Sequence, residues 1–299
     1  MDDNILNLLA MSFFLKSILV VAAGLLSPTA AILNAAQPLE RRTVQRDAMS
    51  PTAENALTVG NLALSGIDYA TYQRERVALF AAAEPGDFAA LFTHLRRDAR
   101  PPLMQPGQWH ACVNDLFSRL THRPPPGLDL ERELITVVHK AEDVVVRDYA
   151  LQHLAILAAA EKGPQPEASL ALLREAATWK ASELSGTALI NLYHLGDGVD
   201  DGALADRALA VATDPAAREA ARSTALQIGV LLKDERFLAP AVEIARRSPI
   251  VAHRASAARA IAVFGGPEER TLLLQLRRRG PEPITNIANE ALARIENDL

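Results

Sequence analysis

Alanine recurs at a fixed place in the second half of this chain, each time near the middle of a short amphipathic segment. Ala150, Ala188, Ala225, Ala258 and Ala291 are separated by 38, 37, 33 and 33 residues. The segments that carry them are Val146–Ile156, Leu184–Leu195, Ala220–Leu231, Ala252–Phe264 and Ile284–Ile295. A repeat of this length is one helix–turn–helix unit, and units that cannot bury their apolar stripes alone must stack. The predicted fold is therefore all-α, a curved α-solenoid of stacked helix pairs. Composition agrees, because 49% of residues are hydrophobic and only 5% aromatic. Much of the apolar share is Ala and Leu, which suits helix packing and argues against a β-sandwich.

Each alanine-centred segment has a predicted partner before it. Asp129–Lys140, Glu167–Lys180, Asp201–Ala212, Glu235–Arg247 and Pro267–Arg278 show apolar residues at helical spacing, with Asp129 as an N-cap. Punctuation falls in phase with the repeat. Pro215, Pro249 and Pro281 precede three of the anchors, and Asp214 and Ser248 stand where an N-cap followed by proline would lie. Gly196, Lys233 and Gly266 each lie eight residues beyond an anchor, where a helix should end. Earlier in the chain Tyr69–Ala83 and Gly86–Arg97 read as a first pair, followed by a helix over Gln108–Leu120.

Two stretches resemble the HEAT-repeat family. Asp143-Val-Val-Val-Arg147-Asp-Tyr-Ala150-Leu151 is similar to the family's second helix, and Ala221-Arg222-Ser-Thr-Ala225-Leu226 repeats the Arg three residues before Ala. Ser185, Ala255 and Ala288 replace that Arg in the other units. The resemblance covers Asp129–Leu299 best and extends to about residue 67. It implies a HEAT-like, armadillo-type solenoid that binds protein, and nothing narrower.

The first residues read differently. Lys16, the apolar run Ile18–Leu26 and the small residues Ser27-Pro28-Thr29-Ala30-Ala31 describe a signal peptide over 1–31, with Met11 as an alternative start. This predicts an exported protein, periplasmic or extracellular. The alternative is an inner-membrane anchor, should residues 5–26 remain uncleaved. Residues 32–66 hold Pro38, Pro51 and mixed charge with no apolar period, and read as a disordered linker.

Chemistry is sparse. Seven histidines are scattered through the chain without metal-ligand spacing, and Cys112 is the single cysteine. Its neighbour His110 points elsewhere on a helix, so Cys112 reads as a buried thiol. No cofactor or metal is implied, nor is a small-molecule ligand. The loop Asp197-Gly-Val-Asp200-Asp201-Gly202 matches part of a calcium loop, but Val199 and Ala208 stand where oxygen ligands are needed, so a turn explains it better. Arg277–Arg279 close a helix and complement its dipole. A net charge of −5 argues against nucleic acid.

The predicted site is a surface. With Ala150, Leu151 and Leu154 inward, the second helices would expose Tyr149, Gln152, His153, Asn191, His194 and Gln227 as a polar strip along the concave face. The expected function is a protein- or peptide-binding scaffold or adaptor, not an enzyme. A HEAT-like lyase or glycosylase and a membrane-anchored structural module are the alternatives.

Overall fold

The computed structural model describes residues 88, 92, 93, 95, 96 and 105–297, apart from 125, 160–166 and 180. The expectations for residues 1–66, and the first helix pair except for a few residues of Gly86–Arg97, lie outside this set. Among the described residues the protein is all helical, with eleven α-helices. They are α1 (Pro106–His122), α2 (Leu130–Lys140), α3 (Val144–Ala159), α4 (Glu167–Ala176), α5 (Leu184–Leu195), α6 (Ala203–Thr213), α7 (Glu219–Leu232), α8 (Leu238–Arg247), α9 (Val251–Phe264), α10 (Arg270–Arg279) and α11 (Glu282–Asn297). Short 3₁₀ turns over Glu235–Phe237 and Pro267–Glu269 lead into α8 and α10. None of these helices is long and apolar enough to cross a membrane.

Consecutive helices pair: α2 with α3, α4 with α5, α6 with α7, α8 with α9 and α10 with α11. The second helix of each pair also packs on the second helix of the next, in the order α1, α3, α5, α7, α9, α11. Helix α1 thus joins this row, against Phe92, whose ring stacks on Phe117 at 6.1 Å. All five anchor alanines are buried, and their small side chains let neighbouring helices approach closely.

First and second helices differ because of this arrangement. A first helix buries one stripe: in α2, Leu130, Leu134, Val137 and Val138 face inward while Arg132, His139 and Lys140 are exposed. A second helix is covered by its partner and by both neighbours in the row. In α5, Leu184, Ser185, Gly186, Ala188, Leu189, Asn191 and Leu192 are all buried. Gly186 is placed so that a Cβ would come within 3.1 Å of Thr224 Oγ1 on α7. Gly229 is more restrictive, since a Cβ there would clash with the ring of Phe237, which is fully buried.

The arginines that mark the repeat have a specific task. Arg147 Nε donates to the Val138 carbonyl at 2.6 Å, and Arg222 Nε to the Ala212 carbonyl at 2.9 Å. Both acceptors lie in the last turn of the first helix of the same pair, where carbonyls lack helical partners. Each guanidinium therefore ties the end of one helix to the start of its partner. Arg147 also lies over the Trp179 ring, 5.7 Å from its centroid, reaching toward the following pair.

Helix ends follow the expected signals in part. Asp129 caps α2 by accepting from Arg132 N at 3.2 Å. Gly196 and Lys233 both end helices in the left-handed region, at φ 72° and 55°. Gly266 instead lies two residues past the end of α9, whose cap is Gly265. The expected Asp214-Pro and Ser248-Pro caps are a correction. Asp214 accepts from Ala216 N and Ser248 from Ile250 N, so both prolines sit in turns and the helices begin later, at Glu219 and Val251.

Candidate functional site

Polar side chains converge where α7, α8 and α9 meet. Glu219 is the first residue of α7, Glu243 and Arg247 lie along α8, Ser248 is the cap after α8, and His253 is in the first turn of α9. With Arg222 and Ile244 they line a cleft of about 140 Å³. A carboxylate at the start of α7 is favoured by the helix dipole. Glu219 Oε2 lies 2.6 Å from His253 Nδ1 and accepts from Ser248 Oγ at 3.2 Å. A carboxylate only accepts, so Nδ1 carries a proton in this contact. The carboxylate therefore stands between the hydroxyl and the imidazole. Serine activation needs the hydroxyl on the imidazole itself, and this order does not supply it.

Arg222 and Arg247 form the opposite wall. Arg222 Nη2 lies 3.8 Å from Glu243 Oε2, and Arg247 Nη1 lies 3.6 Å from Glu243 Oε1. These are ion pairs at distances too long for hydrogen bonds. No spacing in the sequence announces the cleft, since three helices contribute. Only Arg222 carried a signal, as the repeat's arginine.

The predicted strip divides. Tyr149 is half-buried, and His194 and Gln227 are exposed. Gln152 is half-buried and donates to Asp148 Oδ2 at 2.7 Å. His153 and Asn191 are the correction: both are buried, so neither lies on a surface strip. They occupy the part of the second helix that its neighbours in the row cover. His153 reaches Thr121 Oγ1 at 3.1 Å and Asn114 Oδ1 at 3.2 Å, joining α3 to α1. Thr121 spends its hydroxyl proton on the Phe117 carbonyl at 2.7 Å, so a neutral ring donates to one of these two oxygens and not to both. Burial, with a smaller contribution from His122, lowers the His153 pKa from 6.5 to about 3. Asn191 has no hydrogen-bond partner for either amide atom among the described residues.

Beside Tyr149 lies a second polar contact between helices of the row. Thr187 of α5 donates to Asp148 Oδ1 at 2.5 Å. Burial raises the Asp148 pKa, while hydrogen bonds from Thr187 and Gln152 oppose the rise. Burial also raises that of Tyr149, with the Asp148 charge adding to it.

Other expected features settle into structural roles. Both oxygens of Asp197 are held by Arg174, at 2.6 and 3.0 Å, and Asp201 accepts from Ala203 N at 3.0 Å, so the acidic loop acts as a turn. The Arg174 hydrogen bonds hold the Asp197 pKa below the usual carboxylate range. Cys112 is buried, and His110 pairs with Asp143 at 2.7 Å. Arg277–Arg279 lie exposed in the last turn of α10.

No model of a known protein family matches the chain, and a search of curated proteins finds no relative.

Proposed function

We propose that the helix pairs form a HEAT-like α-solenoid and that the protein is an exported scaffold or adaptor for a protein or peptide partner. One observation carries this reading: second helices pack on second helices in an unbroken row from α1 to α11. A row of this kind presents the same helix surface again at every unit, which is how repeat proteins build extended binding faces. The exposed and half-exposed members of the strip, Tyr149, Gln152, His194 and Gln227, are the residues assigned to contact. His153 and Asn191 support the row from inside. The net charge of −5 favours a protein partner over nucleic acid.

The test begins with crosslinking in the native cell envelope and continues with the purified partner. His194→Glu and Gln227→Glu change exposed positions and should leave the circular dichroism spectrum unaltered. Together they should weaken binding by at least about tenfold, as changes at central contacts of an interface do. Unchanged affinity would remove the strip from the proposal. Export has its own measurement: the intact mass of protein recovered from the envelope should lack residues 1–31.

A further inference from the structure

The cleft between α7, α8 and α9 has one wall tied together by hydrogen bonds and one with a buried donor left over. On the first wall Glu219 Oε2 holds both His253 and Ser248, and Ser248 Oγ accepts from Ile250 N at 3.2 Å. On the second, Arg222 uses Nε on the Ala212 carbonyl, while its buried Nη2 has no hydrogen-bond partner among the described residues. The Arg222 side chain is only 12% exposed, so water does little to replace that partner. Glu243 sits between Arg222 and Arg247 and hydrogen-bonds to neither. A buried guanidinium N–H without an acceptor is unfavourable, and a planar group with two acceptor oxygens is what best relieves it.

We infer that this cleft is a receptor for a carboxylate group, bound by Arg222 and Arg247 with Glu243 as the internal group it displaces. Charge selects a monoanion. Two arginines face two glutamates here, so a single added negative charge that moves Glu243 aside leaves the lining balanced. A doubly charged phosphate that moves Glu243 aside in the same way leaves the lining one negative charge in excess beside Glu219. Size agrees, because about 140 Å³ takes a small polar group and not a cofactor. The loop that supplies Ser248 continues into Ile250 and Val251, which are 45% and 42% exposed. Apolar surface beside the cleft favours a carboxylate on a branched aliphatic skeleton over acetate. Such a group is found on a free short-chain acid and on an acidic side chain next to an aliphatic residue in a peptide. This assignment does not depend on the scaffold reading.

The experiment follows the His253 ring signals of the full-length protein by carbon–proton NMR, identified by their loss in His253→Gln. Isovalerate should shift them with a dissociation constant on the order of 1 mM, and its neutral amide should not. Arg247 is 81% exposed, so Arg247→Gln preserves the fold while weakening isovalerate at least about tenfold. Glu243→Gln removes the competing carboxylate and should tighten it about threefold, an effect that a purely structural Glu243 would not give. An acetylated, amidated Val-Glu dipeptide separates the sources: tighter binding than isovalerate assigns the cleft to a peptide, and weaker binding assigns it to a free acid. Equal shifts with the amide would overturn the inference. So would tighter binding of inorganic phosphate, or indifference to both substitutions.

Discussion

Three residues beyond the anchor alanine, the row of second helices carries His153 in α3, Asn191 in α5, Ile228 in α7 and Ile261 in α9. All four are buried. The earlier helices of the row therefore place polar groups where α7 and α9 place isoleucine, while α11 carries the half-buried Arg294 at that position. Helix register decides that the position is inside, and the neighbouring helix decides whether a polar group there is tolerated. Around His153, α1 offers Thr121 and Asn114. Around Asn191 no described residue offers anything. The two polar positions are thus unlike each other as well as unlike the isoleucines.

The largest expected effect comes from forcing the later half to copy the earlier. Ile228→Asn should destabilise by about 4 kcal/mol in urea unfolding, from lost apolar burial plus an unpartnered amide. A loss under about 1 kcal/mol would mean that α7 accepts polarity as α3 does. His153→Ala should cost about 3 kcal/mol, since it opens a cavity and strands its partners. If it costs no more than a surface change, the contacts to α1 are unimportant.

The same histidine gives a pH dependence. Its folded pKa of about 3 lies below the ordinary 6.5, so protonation favours the unfolded chain. The stability contribution is complete above about pH 6.5 and is lost as pH falls toward 3. That amounts to roughly 2 kcal/mol by about pH 5. Asp148 acts in the opposite sense, because its raised pKa favours the folded chain only while it is protonated. Unfolding curves for His153→Phe should therefore show a shallower fall between about pH 6.5 and 5 than those of the unaltered chain.

Asn191→Leu should stabilise the protein by about 1–2 kcal/mol, because it replaces an unpaired buried amide with an apolar group of similar shape. A drop in melting temperature would show that Asn191 has a hydrogen-bond partner after all. Smallest of all, Lys233→Gly should add about 0.5 kcal/mol, since Lys233 holds a left-handed φ of 55° that glycine adopts freely. No change would place that strain elsewhere.

The helices were legible because three independent signals agree on them. Apolar spacing finds Leu184–Leu195 to the residue, and the anchors are all interior. Turn chemistry was readable at Gly196 and Lys233, but misled at Asp214 and Ser248, where a short side-chain turn uses up the cap before the helix begins. The strip failed for an instructive reason. Aligning His153 and Asn191 with Ile228 and Ile261 marks that register as interior, whereas placing only Ala150, Leu151 and Leu154 inward leaves His153 on the far side of the helix. A second helix is covered on more than half its circumference, so its water-facing arc is narrow. Apart from Arg222, the cleft left no trace in the sequence, because Glu219, Glu243 and His253 lie on three helices and meet only through packing.

Short-range connection along the row has a kinetic meaning. Among the described residues, the side-chain hydrogen bonds between helices join partners no more than 39 positions apart. Closing such a span costs little chain entropy, and local contacts speed folding. Each pair can dock on the pair already formed, so a chain emerging from the ribosome can fold in the order in which it is made. A chain drawn out from one end would come apart in the reverse order, pair by pair.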